Sequence, residues 1–381
     1  MLWVLAVCKS LNLSQTVERF AFGSCAGHFG VEYPAIWQGL LTQHPALFLW
    51  LGDAVYADTM YFPLLHKITP VDQWAAKYNN MKEASGYKEL RTNVPILGVW
   101  DDHDYGINNG DRTHPMKVEA QRLFLDFLDE AKDSPRRSQE GLYTSYVLGP
   151  PGKQVKLILL DVRYFRDPWD YVGDTLGEQQ WKWLESELKS PGNVTFIASG
   201  IQILPQDRFG VTERFHPPSA ERLMQLVAAT PNTYLLSGDV HISEVMKSTC
   251  LGRPVYEVTS SGLTHTAYTQ YGFIGLMYNY LVQPATYTTA HRVHEKSYCL
   301  VEIDWKTEIL SFSFMNAAGD HLHTESIQLN DHRTVNPPEF CAYSDLKRAV
   351  RHWTGSVILL LPAVLHVGAL VLYLRKYSHS Y

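Results

Sequence analysis

Trp100-Asp101-Asp102-His103-Asp104 sets three carboxylates and an imidazole in consecutive positions, directly after the apolar run Pro95-Ile96-Leu97-Gly98-Val99. The run predicts a buried strand that ends in a polar loop. Like charges packed at a strand end repel one another unless something positive gathers them. A divalent or trivalent cation does this best. An ordinary acidic loop with one solvated histidine is the competing reading, and the rest of the chain decides between the two. Gly52-Asp53-Ala54-Val55-Tyr56 offers a further carboxylate with a tyrosine three residues on. A carboxylate has two oxygens and can bridge two metals, and a phenolate is a hard donor suited to a trivalent ion such as Fe(III). Gly238-Asp239-Val240-His241 spaces Asp and His two apart, so an extended segment aims both at one site. Cys25 follows the small-residue turn Gly23-Ser24, where a lone cysteine by itself reads as an apolar filler.

Short apolar segments precede each of these clusters. Arg19 to Phe22 leads into Gly23-Ser24-Cys25, and Ala46 to Leu51 into Gly52-Asp53. Val155 to Leu160 leads into Asp161-Val162-Arg163, Val194 to Ala198 into Ser199-Gly200, and Thr233 to Ser237 into Gly238-Asp239. Between them, Pro34 to Leu41, Val118 to Leu128 and Glu178 to Leu188 carry apolar residues at helical spacing. Strands alternating with helices predict an α/β core, in which ligands gather outside the carboxyl ends of the strands. After about residue 254 the pattern turns to β: Val255 to Ser260, Tyr298 to Asp304 and Ile309 to Met315.

The 381 residues suffice for one large domain or two smaller ones, and 45% apolar with 19% charged residues is a globular composition. A net charge of −6 supplies no basic patch, so no nucleic-acid partner is implied. The five cysteines form no CxxC pair, which argues against a zinc ribbon or a thioredoxin-like site. In a lumenal domain Cys250 and Cys299 are available for a disulfide.

Taken in order, Phe22-Gly23-Ser24-Cys25, Gly52-Asp53-Ala54-Val55-Tyr56, Trp100-Asp101-Asp102-His103-Asp104, Asp161-Val162-Arg163 and Ser237-Gly238-Asp239-Val240-His241 resemble the PhoD-like (alkaline phosphatase D) metallophosphatases of the calcineurin-like phosphoesterase superfamily. The resemblance covers roughly residues 18 to 330. The superfamily's usual Asp-x-His first motif is absent; as in the PhoD-like branch, a cysteine, here Cys25, stands at that strand end. The resemblance implies an α/β/β/α four-layer sandwich and a dinuclear site. Metal one, Fe(III), takes Cys25, Asp53, Tyr56 and His241. Metal two, a divalent Ca, Mg, Mn or Zn, takes Asp53 as a bridge with Asp102 and Asp239. His103 is the proton donor to the leaving oxygen. The implied reaction is hydrolysis of phosphate mono- or diesters by a metal-bridging hydroxide. Arg163 is the guanidinium expected on the substrate phosphate, against a structural pairing with Asp161 or Asp167. Asn108 and Asn109, which follow the acidic run, are read as supporting donors or a further ligand, and Gln202 lies where related enzymes place another site residue. A non-catalytic metal-binding receptor or scaffold on the same fold is the alternative.

Outside that domain (18–336), residues 337–352 read as a stalk, 353–374 as a transmembrane helix and 375–381 as a short tail. Trp353 to Leu374 contains no Asp, Glu, Lys or Arg, and a span needs roughly 20 apolar residues. Residues 1–17 read as a signal segment, and Asn12 and Asn193 head glycosylation sequons. The expected localisation is a single-pass membrane anchor with the catalytic domain lumenal or extracellular, a cytosol-facing arrangement being the alternative. The aromatic-rich stretch Tyr268 to Thr289 reads as core packing, with a hydrophobic substrate groove or a bilayer contact as the other readings.

Overall fold

The computed structural model describes residues 9–330 apart from 28–32, 63–64, 171, 207–212, 250–251, 274 and 276–287. The stalk, the expected span at 353–374 and the tail lie outside the described residues, as do residues 1–8 of the signal segment and most of the aromatic stretch. Among the described residues no helix is long and apolar enough to cross a membrane.

The chain begins with β1 (Arg19–Gly23), α1 (Pro34–Thr42) and β2 (Phe48–Leu51), then the pair β3 (Thr59–Phe62) and β4 (Leu65–Lys67). Next come α2 (Val71–Glu83), α3 (Tyr87–Asn93), β5 (Ile96–Val99), α4 (Asp102–Tyr105) and α5 (Lys117–Phe127). They are followed by β6 (Thr144–Leu148), β7 (Val155–Leu159), α6 (Gly177–Leu188), β8 (Val194–Ala198), α7 (Pro217–Ala229) and β9 (Thr233–Ser237). The chain closes with β10 (Ser243–Ser248), β11 (Val255–Ser260), α8 (Ala267–Tyr271), β12 (Thr288–Val293), β13 (Tyr298–Asp304), β14 (Ile309–Met315) and β15 (His321–Gln328).

Two mixed sheets result, one ordered β15-β14-β13-β1-β2-β5 and the other β12-β10-β11-β9-β8-β7-β6. β1-β2-β5 and β7-β8-β9-β11 pair in parallel. Antiparallel strands extend the first sheet on the β1 side and the second on both sides, and the parallel β5 forms the other edge of the first sheet. β2, β5, β7, β8 and β9 are buried at every residue. Burial on both faces requires the continuous apolar runs read in the sequence. The period of two sorts their side chains. Phe48 and Trp50 face one apolar cluster, and Leu49 and Leu51 another. The latter lies between the sheets, with Phe20, Phe22, Leu157, Phe196 and Phe312. Trp50 instead meets Trp37, Tyr87 and Phe127 from α1, α3 and α5, in a cluster that also holds Trp74 and Tyr78 of α2. On the outer face of the other sheet, Ile158, Ile197 and Leu235 pack on Trp181 and Leu184 of α6 and Leu223 and Val227 of α7.

Cys299 corrects one expectation. It lies in β13 opposite Phe22, fully buried in the inter-sheet cluster, and is a free thiol rather than half of a disulfide. Cys250 lies outside the described residues.

Candidate metal centre

The site forms where the carboxyl ends of β1, β2 and β5 meet those of β7, β8 and β9. A parallel bridge between Ser24 and Ser261 ties the two sheets there. The glycine before each of two site aspartates permits the approach. A Cβ on Gly238 would lie 2.5 Å from the Leu51 carbonyl and 2.6 Å from Ser24 Oγ. Gly52 has φ +86°, and a Cβ there would lie 2.3 Å from Asp101 Cβ. Four of the expected ligands themselves adopt left-handed backbone: Cys25 (φ 63°), Asp53 (50°), Asp239 (74°) and His241 (56°). Such residues cost on the order of 1–2 kcal/mol each. Their concentration at one point marks a place where side-chain direction matters more than backbone ease.

Two groups of donor atoms converge. Cys25, Asp53 and His241 form one, and Asp53, Asp102 and His103 the other, with the atoms of each group all within 4.8 Å of one another. Asp53 belongs to both. Cys25 Sγ is 3.6 Å from Asp53 Oδ2, and Tyr56 Oη is 3.1 Å from His241 Nε2. Asp239 is in neither group; its carbonyl oxygen lies 3.8 Å from Cys25 Sγ. Asp53 Oδ1 and Asp239 Oδ2 are buried without a hydrogen-bond partner. Burial, with the negative charges of neighbouring aspartates, pushes the carboxyls of Asp53 and Asp239 well up. The Cys25 thiol and the Tyr56 phenol rise for the same reasons, burial first and then Asp53. Buried acids with orphaned oxygens are what a cation corrects. Cys25, Asp53 and His241 beside Asp53, Asp102 and His103, two donor groups of different chemistry sharing one carboxylate, could each hold a metal.

The acidic stretch divides its labour. Asp104 accepts from the backbone N–H groups of Ala54, Val55 and Asp101 at 3.3, 3.0 and 3.3 Å, pinning the β5 turn to the β2 turn. Burial pushes its carboxyl up to about 7, against those bonds. Asp102 accepts from the N–H groups of His103 (2.9 Å) and Asn109 (2.7 Å). Burial opposes its charge, but the His103 and Arg163 charges and these bonds outweigh it and bring the carboxyl down to about 2. His103 lies with its ring 4.1 Å from that of Tyr56. Its Nδ1 is 2.8 Å from Asp58 Oδ1. Burial works against its charge, yet Asp102, Asp53 and Asp58 hold its pKa well above the ordinary histidine value.

Arg163 departs from the expectation of a phosphate-binding guanidinium. Its side chain is fully buried, donates from Nε to Asp101 Oδ1 at 2.8 Å, and pairs through Nη2 with Asp101 and Glu213. Asp161 takes the Arg163 backbone N–H, not the guanidinium, and Asp167 pairs with Arg112 instead. A guanidinium enclosed by two carboxylates and the Gly110 carbonyl (3.3 Å) braces the turn from behind. Asn108 and Asn109 contribute backbone N–H groups, Asn108 to Asp58 at 3.2 Å. Gln202 is buried, donating to Glu244 (3.0 Å) and Thr259 (2.7 Å).

Sequence reasoning missed Asp58, Glu213, Ser261 and His265. Ser261 Oγ accepts from the His241 N–H at 2.7 Å and lies 3.1 Å from Cys25 Sγ. Asp58, five residues after Asp53, was the most findable. The other three sit outside any acidic cluster or spacing.

Two packed mixed sheets with two donor groups that share Asp53 and could hold metal are the features to set beside known proteins. The PhoD-like phosphatase family model matches residues 20–278. The chain belongs to that family and is a phosphoric ester hydrolase. The structure titled "Structure of PhoD" is similar at TM-score 0.62 and 16% identity, covering 93% of this chain and 80% of that one. A hypothetical protein from Thermus thermophilus overlaps at TM-score 0.37 and 11% identity (81% and 98% covered). A 5'-nucleotidase precursor from the same organism overlaps at 0.30 and 12% (87% and 53%). No curated protein matches the chain in sequence.

Proposed function

We propose that this chain is a membrane-anchored, dinuclear phosphoesterase acting on phosphate mono- or diesters. Its architecture is then a four-layer α/β/β/α sandwich followed by a transmembrane helix at 353–374. The observation that carries the reading is Asp53, shared by two donor groups and left with a buried, partnerless oxygen. Cys25, Tyr56 and His241 with Asp53 suit Fe(III); Asp53, Asp102 and Asp239 suit Ca, Mg, Mn or Zn. Such a pair supplies an acidified water and Lewis-acid stabilisation of phosphoryl charge. Everything else is the work of the chain. Asp104 and Arg163 hold the Asp102 turn from two sides. Asp58 fixes the His103 ring through Nδ1, so the proton for the leaving oxygen is delivered from Nε2.

A phospholipid-type substrate is consistent with the expected anchor and with Tyr268, Tyr271 and Phe273. These are 45%, 65% and 69% exposed, contrary to core packing. The sequon asparagine Asn193 is exposed, as glycosylation in a lumenal or extracellular domain requires; Asn12 is exposed too but falls within the segment read as a signal. The test is a panel of soluble and vesicle-embedded mono- and diesters, given to protein stripped of metal and then reconstituted. Metal-dependent turnover of at least one ester is expected. No turnover by metal-loaded protein would favour the scaffold alternative.

A further inference from the structure

The segment after β11 touches each expected ligand of the first metal except Asp53. The N–H groups of Leu263 and Thr264 donate to the carbonyls of Ser24 (3.1 Å) and Cys25 (3.4 Å). The Ala267 N–H donates to the His241 carbonyl at 3.2 Å. In the middle of this wrap is His265, 3% exposed, with Nε2 2.9 Å from Tyr56 Oη. Its ring lies 4.6 Å from the His241 ring and 5.4 Å from the Tyr56 ring. The Tyr56 oxygen is thus approached by two imidazole nitrogens, His241 at 3.1 Å and His265 at 2.9 Å.

The two imidazoles are not equivalent. His241 belongs to the donor group with Cys25 and Asp53, and His265 does not. Its nitrogen therefore serves the phenol oxygen rather than the cation. Thr264 Oγ1 lies 3.4 Å from His265 Nδ1, where its hydroxyl can donate. That contact favours the tautomer with hydrogen on Nε2, aimed at Tyr56.

We propose that His265 is a positioning residue whose Nε2–H donates to the Tyr56 phenolate oxygen, fixing that ligand for the first metal. This rests on the reading of Tyr56 as a ligand. Outer hydrogen bonds of this kind typically change metal affinity about 10- to 100-fold.

The experiment is a double-mutant cycle on the full chain, reading metal affinity by competition with a chelator, alongside the absorption spectrum. His265→Ala should weaken the tighter site roughly 10-fold or more and shift any phenolate-to-metal band. His265→Gln, which keeps an N–H donor, should recover most of that loss. In a Tyr56→Phe background, His265→Ala should have no further effect, because the group it acts through is gone. Additive losses, or equal losses for Ala and Gln, would overturn the proposal while leaving Tyr56 a ligand. An unchanged affinity in Tyr56→Phe would overturn both, and so tells the two failures apart.

Discussion

Arg163→Met separates a brace from a substrate contact. Arg163 is fully buried, with Asp101 and Glu213 on its guanidinium and Asp102 Oδ1 4.0 Å away. Removing one member of a buried charge pair leaves the others uncompensated, at about 3–5 kcal/mol. Burial already pushes the Asp101 carboxyl upward, against the Arg163 charge that holds it down. Without the guanidinium it takes up a proton readily, which caps the loss near the lower end, at about 3 kcal/mol. With a urea slope of about 3 kcal/mol/M for a domain of this size, the denaturation midpoint falls by roughly 1 M. Arg163→Met with Asp101→Asn should recover part of this, since the strongest orphan is removed with its partner. A midpoint shifted by less than about 0.2 M, with the loss confined to kcat/KM, would refute the brace and restore Arg163 to the phosphate.

Three further outcomes follow from the geometry. Asp58→Asn should keep the metals but lower kcat roughly 10- to 100-fold, most for esters with poor leaving groups; an equal loss across leaving groups would contradict the acid role of His103. Gly238→Ala forces a Cβ to 2.5 Å from the Leu51 carbonyl, so it should lower thermal stability by about 1–3 kcal/mol, read by calorimetry; an unshifted transition would contradict the close sheet approach. Asp174 accepts from Ser219 Oγ (2.6 Å), Trp181 Nε1 (2.8 Å) and the Gly177 N–H (2.9 Å). Burial opposes its charge, but these bonds outweigh it and hold the carboxyl below the usual range. A depressed folded pKa gives stability that is present above about pH 4 and lost as pH falls through the folded value. Asp174→Asn should therefore cost about 1–2 kcal/mol at pH 7 and flatten the acid limb of the stability curve; identical acid limbs would contradict it.

The central strands were legible because burial on both faces leaves an unbroken apolar run, and the turn that follows must be polar. Phe48 to Leu51 then Gly52-Asp53, and Thr233 to Ser237 then Gly238-Asp239, state both at once. Strands stabilised by polar pairing were not legible. β10 buries Glu244, which pairs with Gln202 and Arg292, so Ser243–Ser248 has no apolar signature. In α2, Trp74, Tyr78 and Met81 keep helical spacing but are diluted by polar neighbours. The expected ligand residues were readable as candidates because they fall in the polar turns that follow strands β1, β2, β5 and β9. Their supports were not, since Arg163 meets Glu213 and Tyr56 meets His265 only after the two sheets close.

The most direct test of the central claim is elemental metal analysis of the purified chain beside its Asp53→Asn variant. A carboxylate shared by both donor groups predicts about two metals per wild-type chain and loss of both, with activity, in the variant. Wild-type protein that hydrolyses esters without metal, or an Asp53→Asn variant that keeps both ions, would contradict the account.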